Sequence, residues 1–505
     1  MAASNPFSFS DWPPALSDEQ AAALTLYATS YALSHGLLYL PASVPQPAIP
    51  NSAIHAPLAL FPSPFPRSLY NHARRLQSTY NILYARIAMD EEFLDRVMGA
   101  VDGVGKVDDF VGQLWTGWKK LRDEGGLVQP LHLGLFRSDY LLHCTAPESP
   151  LELKQVEFNT ISSSFGALSE RTAALHRYLH ATTSYYDLHP GMKTEDFPAN
   201  TTTTGLVEGL AAAHAAYGVE RHVLASRILF VVQPGERNVF DQRFLEYELL
   251  ERHSIHVVRQ TFDELSSNAS VESASRVLTV LGSEISVVYF RAGYTPTDYP
   301  SAQQYTTRFL IESSKAVKCP SIALQLAGGK KVQQVLAQPG VAERFLGGVV
   351  SSAAIDEMRN SWMEMWGLDE GRESEDGVKR ARAEADMLVL KPQREGGGNN
   401  VYKEAIPAFL DALPAPERQA WIAMQLIRPP DVGGYLVRAG GGEGGAVRTD
   451  VVSELGIFGW ALFGGSDGKI EEKDVGWLVR TKGKDSNEGG VATGFSVLDS
   501  IFLVD

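Results

Sequence analysis

Two stretches of this 505-residue chain carry residue types suited to gripping a polyanion and its metal: Glu157-Phe-Asn159, and Lys391-Pro-Gln-Arg-Glu-Gly-Gly-Gly-Asn-Asn400. In an extended segment alternate side chains point the same way, so Glu157 and Asn159 offer two oxygen ligands on one face. Mg²⁺ takes a few such hard ligands and completes its shell with water and phosphate. In the second stretch, consecutive glycines let backbone approach a polyanion while Lys391, Arg394 and Glu395 bring charge and Asn399 and Asn400 bring amides. Each also has a bland reading. Glu157 and Asn159 alone fit a solvated strand face, and a Gly/Asn-rich run fits an ordinary surface turn; Glu395 joined to the first pair makes a metal cluster. Thr160-Ile-Ser-Ser-Ser-Phe-Gly166 adds hydroxyls and backbone N–H groups suited to a carboxylate or amide ligand.

Several other chemistries lack their residues. A phosphate-binding GxxxxGK[ST] loop fails at Gly328-Gly-Lys-Lys331, because Leu324 stands at the first glycine position and Lys331 at the hydroxyl position. The twelve histidines form no HExxH, and no CxxC occurs. No GxSxG elbow is present, and Cys144 has no recognisable histidine partner, so it reads as core rather than nucleophile.

The elements that must position these groups follow from periodicity. Residues 41–66 hold eight prolines, which excludes a long helix and suggests an extended arm. Leu76, Tyr80, Leu83 and Ile87, then Leu94, Val97 and Met98, lay an apolar stripe along a polar helix. Strand-like patterns follow at 131–143 and 151–158, interrupted by His132, Arg137 and Glu157. Between Arg227 and Phe290 short apolar runs alternate with helical spacing, which predicts a parallel sheet whose ligands gather beyond its carboxyl ends. Gln233-Pro-Gly-Glu-Arg-Asn238 and Arg291-Ala-Gly-Tyr294 stand at two such ends, and both also read as solvated loops. Residues 367–385 are charged and helix-forming, Ala439–Gly445 reads as a hairpin tip, and Leu478-Val-Arg-Thr-Lys482 as a basic strand.

Length exceeds what one core supports, so two or more lobes are expected. A formal charge of −15 argues against general binding to nucleic acid or anionic membranes, so an anionic ligand must meet a local basic pocket. Two cysteines, Cys144 and Cys319, provide no disulfide framework, and no run approaches ~18 apolar residues. With no signal-peptide pattern at Met1-Ala-Ala-Ser-Asn-Pro-Phe, a cytosolic protein is expected.

The chain resembles the eukaryotic glutathione synthetase family. The resemblance rests on Phe61-Pro-Ser-Pro-Phe-Pro-Arg-Ser68, Gly134-Leu-Phe-Arg-Ser-Asp-Tyr140, Gln155–Gly166, Glu236-Arg-Asn-Val-Phe-Asp-Gln242, Val288–Tyr294, Gln325–Gln334, Lys391–Asn400, Ser453–Gly459, Leu478–Lys482 and Gly489-Gly-Val-Ala492, in one order along nearly the whole sequence. It implies an α/β ATP-grasp fold with an inserted parallel-sheet substrate-binding domain and a glycine-rich lid, divided as 1–222, 223–328 and 329–505. It also implies a homodimer, and ATP-dependent ligation of γ-glutamylcysteine to glycine through an acyl phosphate, releasing ADP and phosphate.

Carried over position by position, the resemblance assigns Glu157, Asn159 and Glu395 to two Mg²⁺ ions. Catalytic roles fall to Arg480, Arg137, Lys330 and Lys391. ATP contacts fall to Glu157, Lys330, Lys391, Glu395, Gly396, Gly397, Gly398, Asn399, Asn400, Tyr402, Met424, Gln425, Leu426, Ile427, Glu454, Lys482 and Glu488. Substrate contacts fall to Arg137, Ile161, Ser162, Ser163, Ser164, Glu236, Arg237, Asn238, Gln242, Arg291, Ala292, Gly293, Tyr294, Arg480, Val491 and Ala492. Two departures stand out: Ala292 occupies a place where relatives can carry Asp, and Met424-Gln-Leu-Ile427 a place where they can carry a Glu-Lys pair. Arg394 is left between substrate contact and loop support. Competing readings are a ligase using β-alanine or serine as acceptor, a nucleotide-binding regulatory protein without catalysis, and a structural scaffold.

Overall fold

The strand His132–His143 is the centre of the molecule, because three other strands bond to it. Val447–Phe463 runs antiparallel along one side, with Phe458 opposite Arg137 and Gly456 opposite Asp139. Glu152–Asn159 runs antiparallel along the other, with Asn159 opposite Arg137 and Glu157 opposite Asp139. At its start, His132 meets Lys318 of the parallel strand Val317–Cys319. The structure is a computed structural model and describes residues 7–41, 52–146, 149–189, 191–221, 226–369, 372–395, 398–439, 445–487, 489–491 and 494–505.

On the carboxy-terminal side, Val447–Phe463 pairs with Glu471–Gly483, placing Glu454 opposite Arg480 and Val452 opposite Lys482. The sheet continues through Ser496–Asp499 and Leu58–Ala59 to Val432–Val437. On the other side lie Val317–Cys319, Ser283–Phe290, Arg227–Val231 and Val257–Gln260, all parallel to one another. Their apolar runs, such as Ile228-Leu-Phe-Val231, are buried, as a sheet covered on both faces requires. A separate four-stranded antiparallel sheet joins Met365–Gly367, Trp421–Gln425, Leu388–Pro392 and Val401–Tyr402.

Helix Arg67–Ala88 buries Leu76, Tyr80, Leu83 and Ile87. The apolar stripe seen in the sequence spans two helices, since Asp90 caps a new one, Glu91–Met98, by accepting from the Phe93 N–H at 2.8 Å. The proline-rich arm contributes the short strands Leu58–Ala59 and Ser63–Pro66, with 42–51 outside the described residues. The charged segment folds as helix Arg372–Ala383. The strands flanking the expected hairpin tip pair antiparallel, Leu436 with Val447, while 440–444 lie outside the described residues. Among the described residues no helix is long and apolar enough to cross a membrane.

Candidate active site

Strand register builds the centre of the site. Arg137 and Asp139 share a face of the central strand, Glu157 and Asn159 lie opposite them, and Gly456 on the third strand leaves room beside both. A Cβ at Gly456 would come within 2.7 Å of Asp139 Oδ1 and 2.8 Å of Arg137 Cδ. Asp139, fully buried, is the hub. It accepts from Arg137 Nε at 2.6 Å, Arg137 Nη2 at 2.8 Å, Asn159 Nδ2 at 2.9 Å and Arg480 Nη2 at 3.0 Å. Arg480 also pairs with Glu454 across the strands.

Lys330 connects this layer to the glycine-rich loop. It opens the helix Lys330–Leu336, and its Nζ stands 3.0 Å from Glu157 Oε2 and 2.9 Å from Glu395 Oε1. Lys391, at the end of a strand of the smaller sheet, donates to the Val156 carbonyl at 2.9 Å and so ties the two sheets together. Four cations, Arg137, Lys330, Lys391 and Arg480, thus face four carboxylates, Asp139, Glu157, Glu395 and Glu454. Balanced charge of this kind tolerates burial that single charges would not.

The balance is uneven in detail. Burial works against the charge of Glu157, yet Lys330 and Lys391 outweigh it and hold the carboxyl down at about 2. Burial pushes Glu395 above the ordinary carboxylate range, and the Glu157 charge adds to it. Glu454 is raised by burial and by Asp139 and Glu157, against Arg480. For Lys330, burial opposes the ammonium, but Glu157 and Glu395 prevail and hold its pKa up. Burial lowers Lys391, with Lys330 contributing.

This donor set fits Mg²⁺. Glu157 and Glu395 already share one cationic nitrogen, and each keeps about a fifth of its side-chain surface accessible. Asn159 spends its Nδ2 on Asp139 and on the Arg137 carbonyl at 3.2 Å, which leaves its carbonyl oxygen as a potential ligand.

A second cluster forms at the carboxyl ends of the parallel strands. Arg291 follows Ser283–Phe290, is buried, and donates from Nη1 to Ser162 Oγ at 3.0 Å. Glu236 accepts from the Asn238 N–H and from Gln242 Nε2, both at 2.9 Å. Burial works against the Arg291 guanidinium, but Tyr289, Glu236 and Asp241 beside it hold its pKa up. Asp241, on helix Val239–His253, accepts from the N–H groups of Phe165, Ala167 and Leu168, which ties the start of helix Gly166–Thr183, and the serine segment before it, to that helix. Ser162 is held in the left-handed region at φ 58°, and Ser163 reaches the Leu135 carbonyl at 3.3 Å. Ile161 is buried in the main core and Ser164 is half-buried. Arg237 binds the Leu40 carbonyl at 3.0 Å and covers the Tyr39 ring, which places it on the amino-terminal arm. Ala292 is buried, and Asp298 accepts from the Gly293 and Tyr294 N–H groups.

Around the smaller sheet, Met424 is buried, while Gln425, Leu426 and Ile427 are half-buried. The Gln425 and Leu426 N–H groups already bond to the Glu364 and Met387 carbonyls. Asn400 donates to Tyr402 Oη at 3.1 Å. Arg394 pairs with buried Asp108 and with the Gln393 carbonyl, so it supports the loop base. Lys482 binds the Asn487 carbonyl at 3.0 Å, and Val491 is buried in the core that contains Phe165. Gly398 takes φ 79°, and Asn399 beside it is exposed. Gly396, Gly397, Glu488 and Ala492 lie outside the described residues. Cys144, expected in the core, is half-buried at the surface; Cys319 is buried.

Sequence reasoning missed Asp139, Asp241 and Gly456. Asp139 had a signal: an Arg and an Asp two apart on a strand otherwise apolar share one face, and a buried Asp needs partners there.

The chain matches the family model described as eukaryotic glutathione synthase, ATP binding domain, over residues 18–503. It is similar to the glutathione synthetase large chain of Schizosaccharomyces pombe, 38% identical, covering 96% of this chain and 98% of the relative. Glutathione synthetase of Bos taurus is 39% identical, covering 98% and 99%. Among solved structures, a glutathione synthetase-like effector of Globodera pallida in apo form shares the fold, with a TM-score of 0.74 at 23% identity over 97% of this chain and 98% of that one.

Proposed function

Since the chain belongs to the eukaryotic glutathione synthase family, we propose that it joins γ-glutamylcysteine to glycine at the expense of ATP, as an ATP-dependent carbon–nitrogen ligase of ATP-grasp fold. The observation that carries this reading is the cluster of four cations and four carboxylates where the two sheets meet. A carboxylate is a poor electrophile, and transfer of the ATP γ-phosphoryl to it creates an acyl phosphate with a good leaving group. Phosphoryl transfer needs positioning and charge stabilisation rather than covalent help from protein.

Lys330, Lys391 and Lys482 supply positive charge to the nucleotide phosphates. Arg480 and Arg137, held in place by Asp139, face the charge that develops as glycine's neutral amine attacks the acyl carbon; a preorganised donor of this kind is commonly worth ~10²–10³ in rate. Glu157, Asn159 and Glu395 would hold Mg²⁺, which when bound neutralises phosphate charge. Arg291, Glu236, Asn238, Gln242 and Ser162 bind the γ-glutamyl portion, and Val491 borders the glycine end. We assign 223–328 to an inserted substrate-binding domain between 1–222 and 329–505; the parallel strands and the Arg291 cluster in it support that division. Gly398 and Gly489–Gly490 are assigned to the lid that keeps the acyl phosphate from water.

A homodimer is part of the same proposal, supported by exposed Leu26 and Leu33 on helix Asp18–Ser34 and Tyr247 and Leu250 on helix Val239–His253. So is a cytosolic location, supported by two free thiols and no disulfide among the described residues. The decisive experiment measures ADP release with γ-glutamylcysteine, with and without glycine. Glycine-dependent release is expected, and its absence would overturn the function.

A further inference from the structure

Behind the strands that present Glu454, Arg480 and Lys482 lies a closed polar ring. Alternate residues face opposite sides of a sheet, so Ser453 and Thr481 project from the face opposite Glu454 and Arg480. Ser453 Oγ is 2.9 Å from Thr481 Oγ1, Thr481 Oγ1 is 2.6 Å from Asp499 Oδ2, Asp499 Oδ2 is 2.7 Å from Ser63 Oγ, and Ser63 Oγ is 2.6 Å from Ser453 Oγ. Ser63, Thr481 and Asp499 are buried, and Ser63 joins three neighbouring strands from 390 residues before Ser453.

The ring has four contacts but only three hydroxyl hydrogens. Ser63 is within donating distance of both Ser453 and Asp499, yet it has one O–H. A neutral Asp499 supplies the missing hydrogen: Ser63 donates to Ser453, Ser453 to Thr481, Thr481 to Asp499, and the acid proton returns to Ser63. The other carboxyl oxygen, Oδ1, accepts from the Ser500 N–H at 2.6 Å. We propose that Asp499 is a positioning residue for ligation, held as the neutral acid, which closes this ring and thereby fixes the strand pair carrying Glu454 and Arg480. The inference rests on the function proposed above.

The titratable groups facing Asp499 leave room for a neutral acid. His176, from helix Gly166–Thr183, has Nδ1 at 3.9 Å from Oδ1, but its Nε2 bonds the Ala59 carbonyl and must carry the hydrogen. Burial holds the His176 pKa down at about 4, so the imidazole is neutral at physiological pH and its Nδ1 accepts from Ser500 Oγ at 2.6 Å. Tyr185, from the turn Ser184–Asp187, is uncharged, its pKa raised by burial and by Asp499. No lysine or arginine pairs with Asp499 among the described residues. Burial pushes its carboxyl up to about 7, against the hydrogen bonds from Thr481, Ser63 and Ser500, which favour the charged form.

The test compares Asp499→Asn, permanently neutral and able to donate to Ser63, with Asp499→Ala, across a pH series of kcat and of KM for ATP. The Asn variant is expected to keep markedly more kcat than the Ala variant. The Asn to wild-type ratio of kcat should rise about tenfold from one pH unit below the Asp499 titration to one unit above, following the neutral fraction. Equal losses in Asn and Ala, or a ratio flat with pH, would overturn the proposal. A second measurement stands independent of activity: the infrared difference between wild type and Asp499→Asn should contain a protonated carboxyl band at neutral pH. Its absence also overturns the proposal, while glycine-dependent ADP release by the wild type separates that failure from failure of the assigned function.

Discussion

Asp139→Asn tests whether the buried hub organises catalysis or only fills the core. In the wild type, Asp139 Oδ2 receives donors from Arg137, Asn159 and Arg480, while Oδ1 receives Arg137 Nε. An amide can present only one oxygen, so at least one of these donors meets an NH₂ group. The cluster also gains an uncompensated positive charge at a site without solvent, since Arg137 is 4% exposed. Breaking a buried pair in this way costs about 3–5 kcal/mol. For 505 residues with an unfolding entropy of about 2.1 cal/mol/K each, one kcal/mol corresponds to about 1 °C, so Tm should fall by about 3–5 °C. Loss of Arg480 and Arg137 from their working positions should lower kcat by ~10²–10³. Steady-state ADP release, with ATP and γ-glutamylcysteine varied in turn, and a thermal melt read the two effects. A lower Tm with kcat reduced less than tenfold, about 1.4 kcal/mol, would refute the positioning role and leave Asp139 a structural residue.

Gly456→Ala should lower kcat while leaving ATP binding largely intact, because its Cβ would displace Asp139 and Arg137 from a distance below 3 Å; unchanged turnover would show that the pair can shift without harm. Lys330→Met should make the protein more acid-labile. The depressed Glu157 pKa contributes stability that is present above the unfolded carboxylate value and lost as pH falls through about 2, and removing Lys330 moves that loss to higher pH, readable as an acid-unfolding midpoint by circular dichroism. Arg394→Ala should raise KM for ATP with little change in kcat at saturation, since Arg394 holds the loop base through Asp108; a change in kcat alone would contradict this.

The parts of the site legible in the sequence are those set by local periodicity. Glu157 and Asn159 share a strand face because they are two apart, and Leu76, Tyr80, Leu83 and Ile87 mark the helix Arg67–Ala88 because they repeat at helical spacing. Periodicity does not say which strand lies opposite. Arg137 and Asp139 acquire their meaning only when Asn159 and Gly456 come alongside from two different strands, and when Arg480 arrives from 341 residues away to share Asp139. Arg394 shows the same gap from the other direction. It stands in a loop rich in phosphate-binding residue types, yet its partner Asp108 caps a helix 286 residues upstream, and the loop composition carries no trace of it.

Asp499 carries this point furthest. In sequence it is one acid in an apolar terminal segment, Ser496-Val-Leu-Asp-Ser-Ile-Phe-Leu-Val504, and a charged residue at a strand end is the simplest reading of it. The fold buries it among hydroxyls from three other segments, and a proton count across four short contacts then decides its ionisation. The same register that sends Glu454 and Arg480 toward Asp139 sends Ser453 and Thr481 into that ring. Functional and supporting side chains therefore alternate along one pair of strands, so a one-residue slip in register would exchange them. That alternation gives a physical reason for a long hairpin here: the eight pairs from Val451 opposite Gly483 to Phe458 opposite Gly476, before the bulge between Phe458 and Gly459, hold the register on which both faces depend.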